Sequence, residues 1–130
     1  MSVLLLIAAA IAPAAPAPAL PAAVSRAEMD VPHDHGDQQV LVQSRQIPAG
    51  ESSGWHIHPG VEISTVISGV TEVTIGTAPP RRVAAGETVV IPRGVPHKAS
   101  AVGTAPAELL LTFVVDKGVP LRTPVAAPAP

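Results

Sequence analysis

Four side chains in the middle of this chain have the types and spacing of a metal-binding set. His56 and His58 stand two apart, Glu62 follows after a Pro59-Gly60 turn, and His97 comes much later, behind a second Pro/Gly turn. Residues two apart on a strand point to one face, so His56-Ile57-His58 would present both imidazoles together. Imidazole and carboxylate are the donors that borderline divalent metals accept. Three His and one Glu fill four positions around an octahedral ion and leave two for water, substrate or O₂. Taken alone, an H-x-H pair on a strand reads equally well as exposed polar surface. Other candidates are weaker. His33-Asp34-His35 with Asp37 could hold a surface metal, but this stretch is rich in turn formers and lacks the rigid elements that order a site. Arg93, in the turn before His97, is the nearest cation in sequence and is expected to be solvated. No Tyr or further His in this region offers a general base, so no catalytic residue is assigned.

The elements that must position these groups are strands. From Gln39 onward, β-branched segments alternate with turn residues, which predicts strands at about 39–47, 53–58, 61–68, 70–75, 81–84, 87–91, 97–102 and 108–115. Between them lie Pro48-Ala49-Gly50, Pro59-Gly60, Gly76 with Pro79-Pro80, Ala85-Gly86, Pro92-Arg93-Gly94 and Gly103 with Pro106. Pro presets φ and Gly supplies φ > 0, so these clusters punctuate strands for a physical reason. Short strands packed this closely indicate an all-β jelly-roll sandwich or barrel. By the two-residue period, Glu62, Ser64, Val66 and Ser68 share one face of their strand, and Ile63, Thr65 and Ile67 share the other. No Arg or Lys falls by parity beside His56, His58 or Glu62. Trp55 and Ile57 face away from the two histidines. Either flanking segments cover them, or they belong to the interface of a homodimer.

The spacing also resembles a known family. Gly50, His56, His58, Glu62 and Gly69 fit the first cupin motif, G-x5-H-x-H-x3,4-E-x6-G, at every specified position. Gly86, Pro92, Gly94 and His97 fit the second, G-x5-P-x-G-x2-H-x3-N, up to its last residue, where Ala101 stands in place of Asn. The resemblance covers residues 39–115. It implies a double-stranded β-helix that holds one divalent transition metal (Fe, Mn, Ni or Zn) on His56, His58, Glu62 and His97. Ala101 lies outside that ligand set and removes whatever outer hydrogen bond the Asn makes in relatives.

Composition narrows the function classes. The chain has 130 residues, enough for one small domain. It has 0 cysteines, which excludes disulfides, thiolate zinc sites, iron–sulfur ligation and cysteine nucleophiles. With 8 basic and 10 acidic residues and no cationic cluster, it lacks the footprint of a nucleic-acid binder. Val3 to Ala12 is an apolar run too short to span a bilayer, which takes about 20 residues. An Ala/Pro tract follows it, as in a signal peptide. The expected layout is a signal peptide over 1–27, cleaved near Ala19 or later by Ala27, a polar lead-in over 28–38, a barrel over 39–115 and a Pro/Ala tail over 116–130. No cysteine follows the apolar run, so no lipid anchor is expected, and the protein would be periplasmic or secreted. Initiation at Met29 would instead leave it cytoplasmic. Two functions stay open: a metal-dependent dioxygenase or isomerase acting on a small oxygenated molecule, and a non-catalytic module that binds a metal or small ligand.

Overall fold

The computed structural model describes residues 26–31 and 36–129, and these form strands and no helix. The expected export signal with its cleavage site near Ala19, and the His33-Asp34-His35 stretch, lie outside the described residues. One antiparallel sheet runs in the order β1 (Arg26–Val31), β2 (Gln38–Ile47), β9 (Ala107–Asp116), β4 (Gly60–Ser68), β7 (Thr88–Ile91). The other runs β10 (Thr123–Pro124), β3 (His56–Ile57), β8 (His97–Ala101), β5 (Val70–Ile75), β6 (Arg81–Ala84). This is the all-β jelly roll that the turn spacing predicts.

All eight expected strands are present. The one expected over 53–58 shrinks to His56–Ile57 because Ser52 and Gly54 turn the chain ahead of it: Gly54 sits at φ 70° and donates its N–H to Ser52 Oγ at 3.1 Å. Two strands come from the flanks. β1 lies along β2 from Arg26↔Gln43 to Val31↔Gln38. β10 takes up the otherwise open edge of β3, and beyond it Val125 N–H donates to Trp55 O at 3.1 Å. An open strand edge offers unpaired N–H and C=O groups, and Pro124 suits a position where no ladder donor is needed. Trp55 and Ile57 are accordingly half-buried, with the Lys98 ammonium 5.5 Å over the Trp55 ring.

β9 is the spine of the first sheet. Its alternate residues Ala107, Leu109, Leu111, Phe113 and Val115 are buried between the sheets, as the two-residue period requires. Phe113, Leu41, Val66 and Val83 are each 2% exposed or less. Burying a side chain of that size contributes roughly 1.5–3 kcal/mol. β9 pairs with β2 along its full length and with β4 from Gly60↔Val115 onward. At that last pair the strands approach so closely that a Cβ on Gly60 would lie 2.0 Å from Val114 O. Gly60 therefore sets the start of β4, the strand that carries Glu62.

Candidate metal centre

His56 and His97 are direct partners across the β3–β8 pair, so their side chains share one face at short range. His58 follows two residues after His56, with Gly94 N–H donating to its carbonyl at 3.0 Å. Glu62 comes from the opposite sheet, where β4 places it between Phe113 and Ile91. The four sequence-predicted residues thus meet between the sheets. One ligand atom from each lies within 4.8 Å of all the others, and His97, Glu62, His58 and His56 are only 2%, 6%, 6% and 7% exposed. The imidazole centroids are 4.3 to 5.1 Å apart, and Phe113 packs against the His58 ring at 4.8 Å.

Each ring is held from behind by a backbone carbonyl. His56 Nδ1 lies 2.7 Å from Gly54 O, His97 Nδ1 2.9 Å from Val95 O, and His58 Nδ1 2.5 Å from Leu121 O. A carbonyl only accepts, so each Nδ1 donates to it, which leaves Nε2 as the nitrogen each ring turns toward the centre and the one that can bind a metal. Glu62 Oε2 sits 2.9 Å from His58 Nε2 and 3.1 Å from His97 Nε2. The His58 contact is close without the alignment of a hydrogen bond, leaving that buried Nε2 without a hydrogen-bond partner. His97 Nε2 hydrogen-bonds Glu62 Oε2, so at this contact a cation, either a proton on the ring nitrogen or a metal in its place, must stand between the nitrogen and the carboxylate. That need, with N and O donors only, fits a borderline divalent metal.

The charges agree with this picture. Burial pushes Glu62 up, but the two imidazoles facing it more than offset this and bring its carboxyl down from 4.5 to about 2. Burial lowers His56 from 6.5 to about 4 against the Gly54 carbonyl, which favours the cation, and His97, Arg122 and His58 lower it further. Both ligands are therefore in their metal-binding protonation state at neutral pH.

The fold and this centre decide the family together with one comparison: the Cupin domain family matches residues 44–114, more than half of the chain. The chain is a cupin. No curated protein matches it. Among solved structures, this cupin is similar to an oxalate oxidase (28% identity, TM-score 0.60), covering 85% of this chain and 63% of that one. It is also similar to a DMSP lyase of Ruegeria pomeroyi DSS-3 (25%, TM-score 0.57), covering 77% of this chain and 51% of that one. A conserved protein of unknown function from Streptococcus pyogenes matches at 30% identity and TM-score 0.52, covering 72% of this chain and 77% of that one.

A cavity of about 140 Å³ opens on the centre. Ser64 lines it, as the parity of β4 predicts, and so do Gln43, Arg45, Ser53 and Arg122, which sequence reasoning did not place there. For two of these a signal existed: Leu41, Gln43, Arg45 and Ile47 share one parity on β2, the parity of the buried face. Arg122 had none, since nothing in a Pro/Ala-rich tail marks a residue that turns inward. Arg93 points elsewhere. Its guanidinium forms a two-pronged pair with Asp116 at 2.6 and 2.7 Å on the surface. Ala101 belongs to the hydrophobic core, opposite Thr71, and does not line the cavity.

Proposed function

We propose that this cupin is a small metal-dependent enzyme of oxidoreductase type, with dioxygenase or isomerase chemistry on a small oxygenated molecule. The observation that carries it is the convergence of three backbone-anchored imidazoles and one carboxylate on a space that needs a cation. His56, His58, Glu62 and His97 would hold one divalent transition metal (Fe, Mn, Ni or Zn). A metal there would supply a Lewis acid or a redox centre beside the cavity. The chain's own residues supply the rest: the backbone carbonyls orient the rings, Phe113 and Ile91 exclude water from one side, and Ser53, Ser64 and Gln43 offer polar contacts to a ligand. The likeness to an oxalate oxidase supports the redox reading, and that to a DMSP lyase supports a non-redox one.

A second reading has its own observation. Apart from Glu62 and the histidines, the described residues of the cavity lining include no carboxylate, Tyr or Lys, so each proton acceptor among them is also a candidate ligand. A binding or sensing module needs no spare base. Oxygen consumption by the Fe(II)-loaded protein against flavonols, catechols, β-diketones and short organic acids separates the two readings. Turnover with any of them supports the enzyme. Stoichiometric ligand binding without turnover under any metal decides for the module.

The Val3–Ala12 run and the Ala/Pro tract after it support export to the periplasm or medium, with loss of about the first 19 to 27 residues. Intact-mass measurement of the recovered protein tests this. For a homodimer the support is the outer face of the first sheet, where Ile67, Val90 and Leu110 are 54%, 58% and 38% exposed on β4, β7 and β9. Light scattering of Ile67→Lys against wild type tests it.

A further inference from the structure

The cavity carries more positive charge than its metal ligands account for. Arg122 enters it from the tail just before β10, and Arg45 enters it from β2 in the other sheet. Arg122 is fixed at one corner, its Nη2 donating to Ser53 O at 2.5 Å, while its Nε is buried without a hydrogen-bond partner. Among the described residues, the exposed Arg45 side chain has no hydrogen-bond or ion-pair partner. Among the described residues the only carboxylate in the lining is Glu62, and it faces His58 and His97. The half-buried Arg122 thus borders a largely apolar chamber of Val73, Val89, Leu109, Leu111 and Phe113 that offers it no free carboxylate among the described residues, and the exposed Arg45 stands at the rim. A cation held against apolar walls is costly unless an anion accompanies it, and a planar guanidinium matches a carboxylate better than any other small partner. At about 140 Å³ the chamber is far smaller than the roughly 300–1,000 Å³ of pockets for drug-sized ligands. It suits a small ligand.

We propose that Arg122, supported by Arg45, selects a small carboxylate as the ligand of this cavity, its charged end on the guanidinium and a second oxygen toward His56, His58, Glu62 and His97. The second half of that statement rests on the metal reading above; the first does not. Arg122 is then a specificity-determining residue that reaches the cavity only because the tail docks beside β3. A neutral amide of equal size could accept one bond from the guanidinium but would not offset its charge or match its two-pronged fork.

Calorimetric titration of the full chain with glycolate and with its neutral counterpart glycolamide, before and after Zn(II) loading, tests this. Wild type should prefer glycolate by at least tenfold. Arg122→Gln should retain wild-type zinc content while the preference falls at least tenfold. Arg122→Lys, which keeps the charge but not the fork, should fall in between. Arg45→Gln, which leaves the tail contacts alone, should lose about threefold and decides the matter if Arg122→Gln does not fold. An unchanged glycolate preference in Arg122→Gln and Arg45→Gln, at wild-type zinc content, overturns the inference and spares the metal reading. Absence of zinc from wild type overturns the metal reading, and the same ratio in metal-free protein then decides the role of Arg122 by itself.

Discussion

Gly60→Ala is the sharpest structural perturbation open to this fold. The new Cβ would lie 2.0 Å from Val114 O, 2.5 Å from Val115 Cα and 2.8 Å from Val114 C, all backbone atoms of β9. Relief to 3.0 Å, the least that real Cβ atoms keep, requires β4 to retreat by 3.0 − 2.0, about 1 Å. Such a retreat takes the neighbouring Asp116 N–H···O Pro59 bond from 3.1 Å to about 4.1 Å, beyond bonding range. Forcing volume into a packed site costs about 1–3 kcal/mol, and leaving that backbone pair unmade costs about 1–3 more. The expected loss is about 4 kcal/mol, a large share of the roughly 5–15 kcal/mol that holds a domain together. Equilibrium urea unfolding followed by far-UV circular dichroism should show the midpoint falling by about 2 M at a slope near 2 kcal/mol per M. Gly50→Ala is the control: its Cβ meets nothing within 4 Å, so only its φ of 74° matters, at about 1–2 kcal/mol. Because Glu62 lies two residues beyond Gly60, metal affinity should fall with Gly60→Ala and not with Gly50→Ala. A loss below 1 kcal/mol, or equal losses in the two variants, refutes the reasoning.

Four further outcomes are expected. Phe113→Ala, at a position 1% exposed, should cost about 3–5 kcal/mol by chemical denaturation and weaken metal binding as the His58 ring loses its packing partner. Thr71→Val should stabilise by about 1 kcal/mol, since the Thr71 hydroxyl is buried without a hydrogen-bond partner opposite Ala101; a destabilised variant would contradict this. Zn(II) at a hundredfold its dissociation constant should raise stability by about 2.7 kcal/mol in thermal melts, with no rise in a His56→Ala/His58→Ala double variant. Metal-free protein should lose stability on acidification. His56 is lowered from 6.5 to about 4, so its contribution is complete above pH 6.5 and is lost as pH falls toward 4. Glu62, lowered from 4.5 to about 2, adds a loss below pH 4.5, and a urea midpoint constant from pH 7 to 4.5 would refute the account.

Much of this was legible in the residues. The turn clusters placed eight strands because Pro fixes φ and Gly readily takes φ > 0, whatever the tertiary context. The parity of β4 put Glu62 and Ser64 on the cavity side because side-chain alternation follows from strand geometry alone. The edge strands were not read. β10 is too short to alternate and forms because β3 leaves an edge to be paired. β1 does alternate, Ala27, Met29 and Val31 standing between Arg26, Glu28 and Asp30, a signal missed because this stretch was divided between the expected signal peptide and the polar lead-in. The length of β3 was overstated for a local reason, the Ser52–Gly54 turn. Arg45 was missed through a parity argument not carried to β2, whereas Arg122 depends wholly on where the tail docks.

The carbonyl that holds His58 belongs to Leu121, 63 residues further along the chain. During synthesis the other three ligands and both of their carbonyl anchors, at Gly54 and Val95, are available well before that residue emerges. The candidate centre can therefore gather its donors before its His58 ring is fixed, which happens only once the residues around Leu121 are laid beside β3. A chain stopped before Leu121 would present a barrel with all four ligands and one histidine still free to turn.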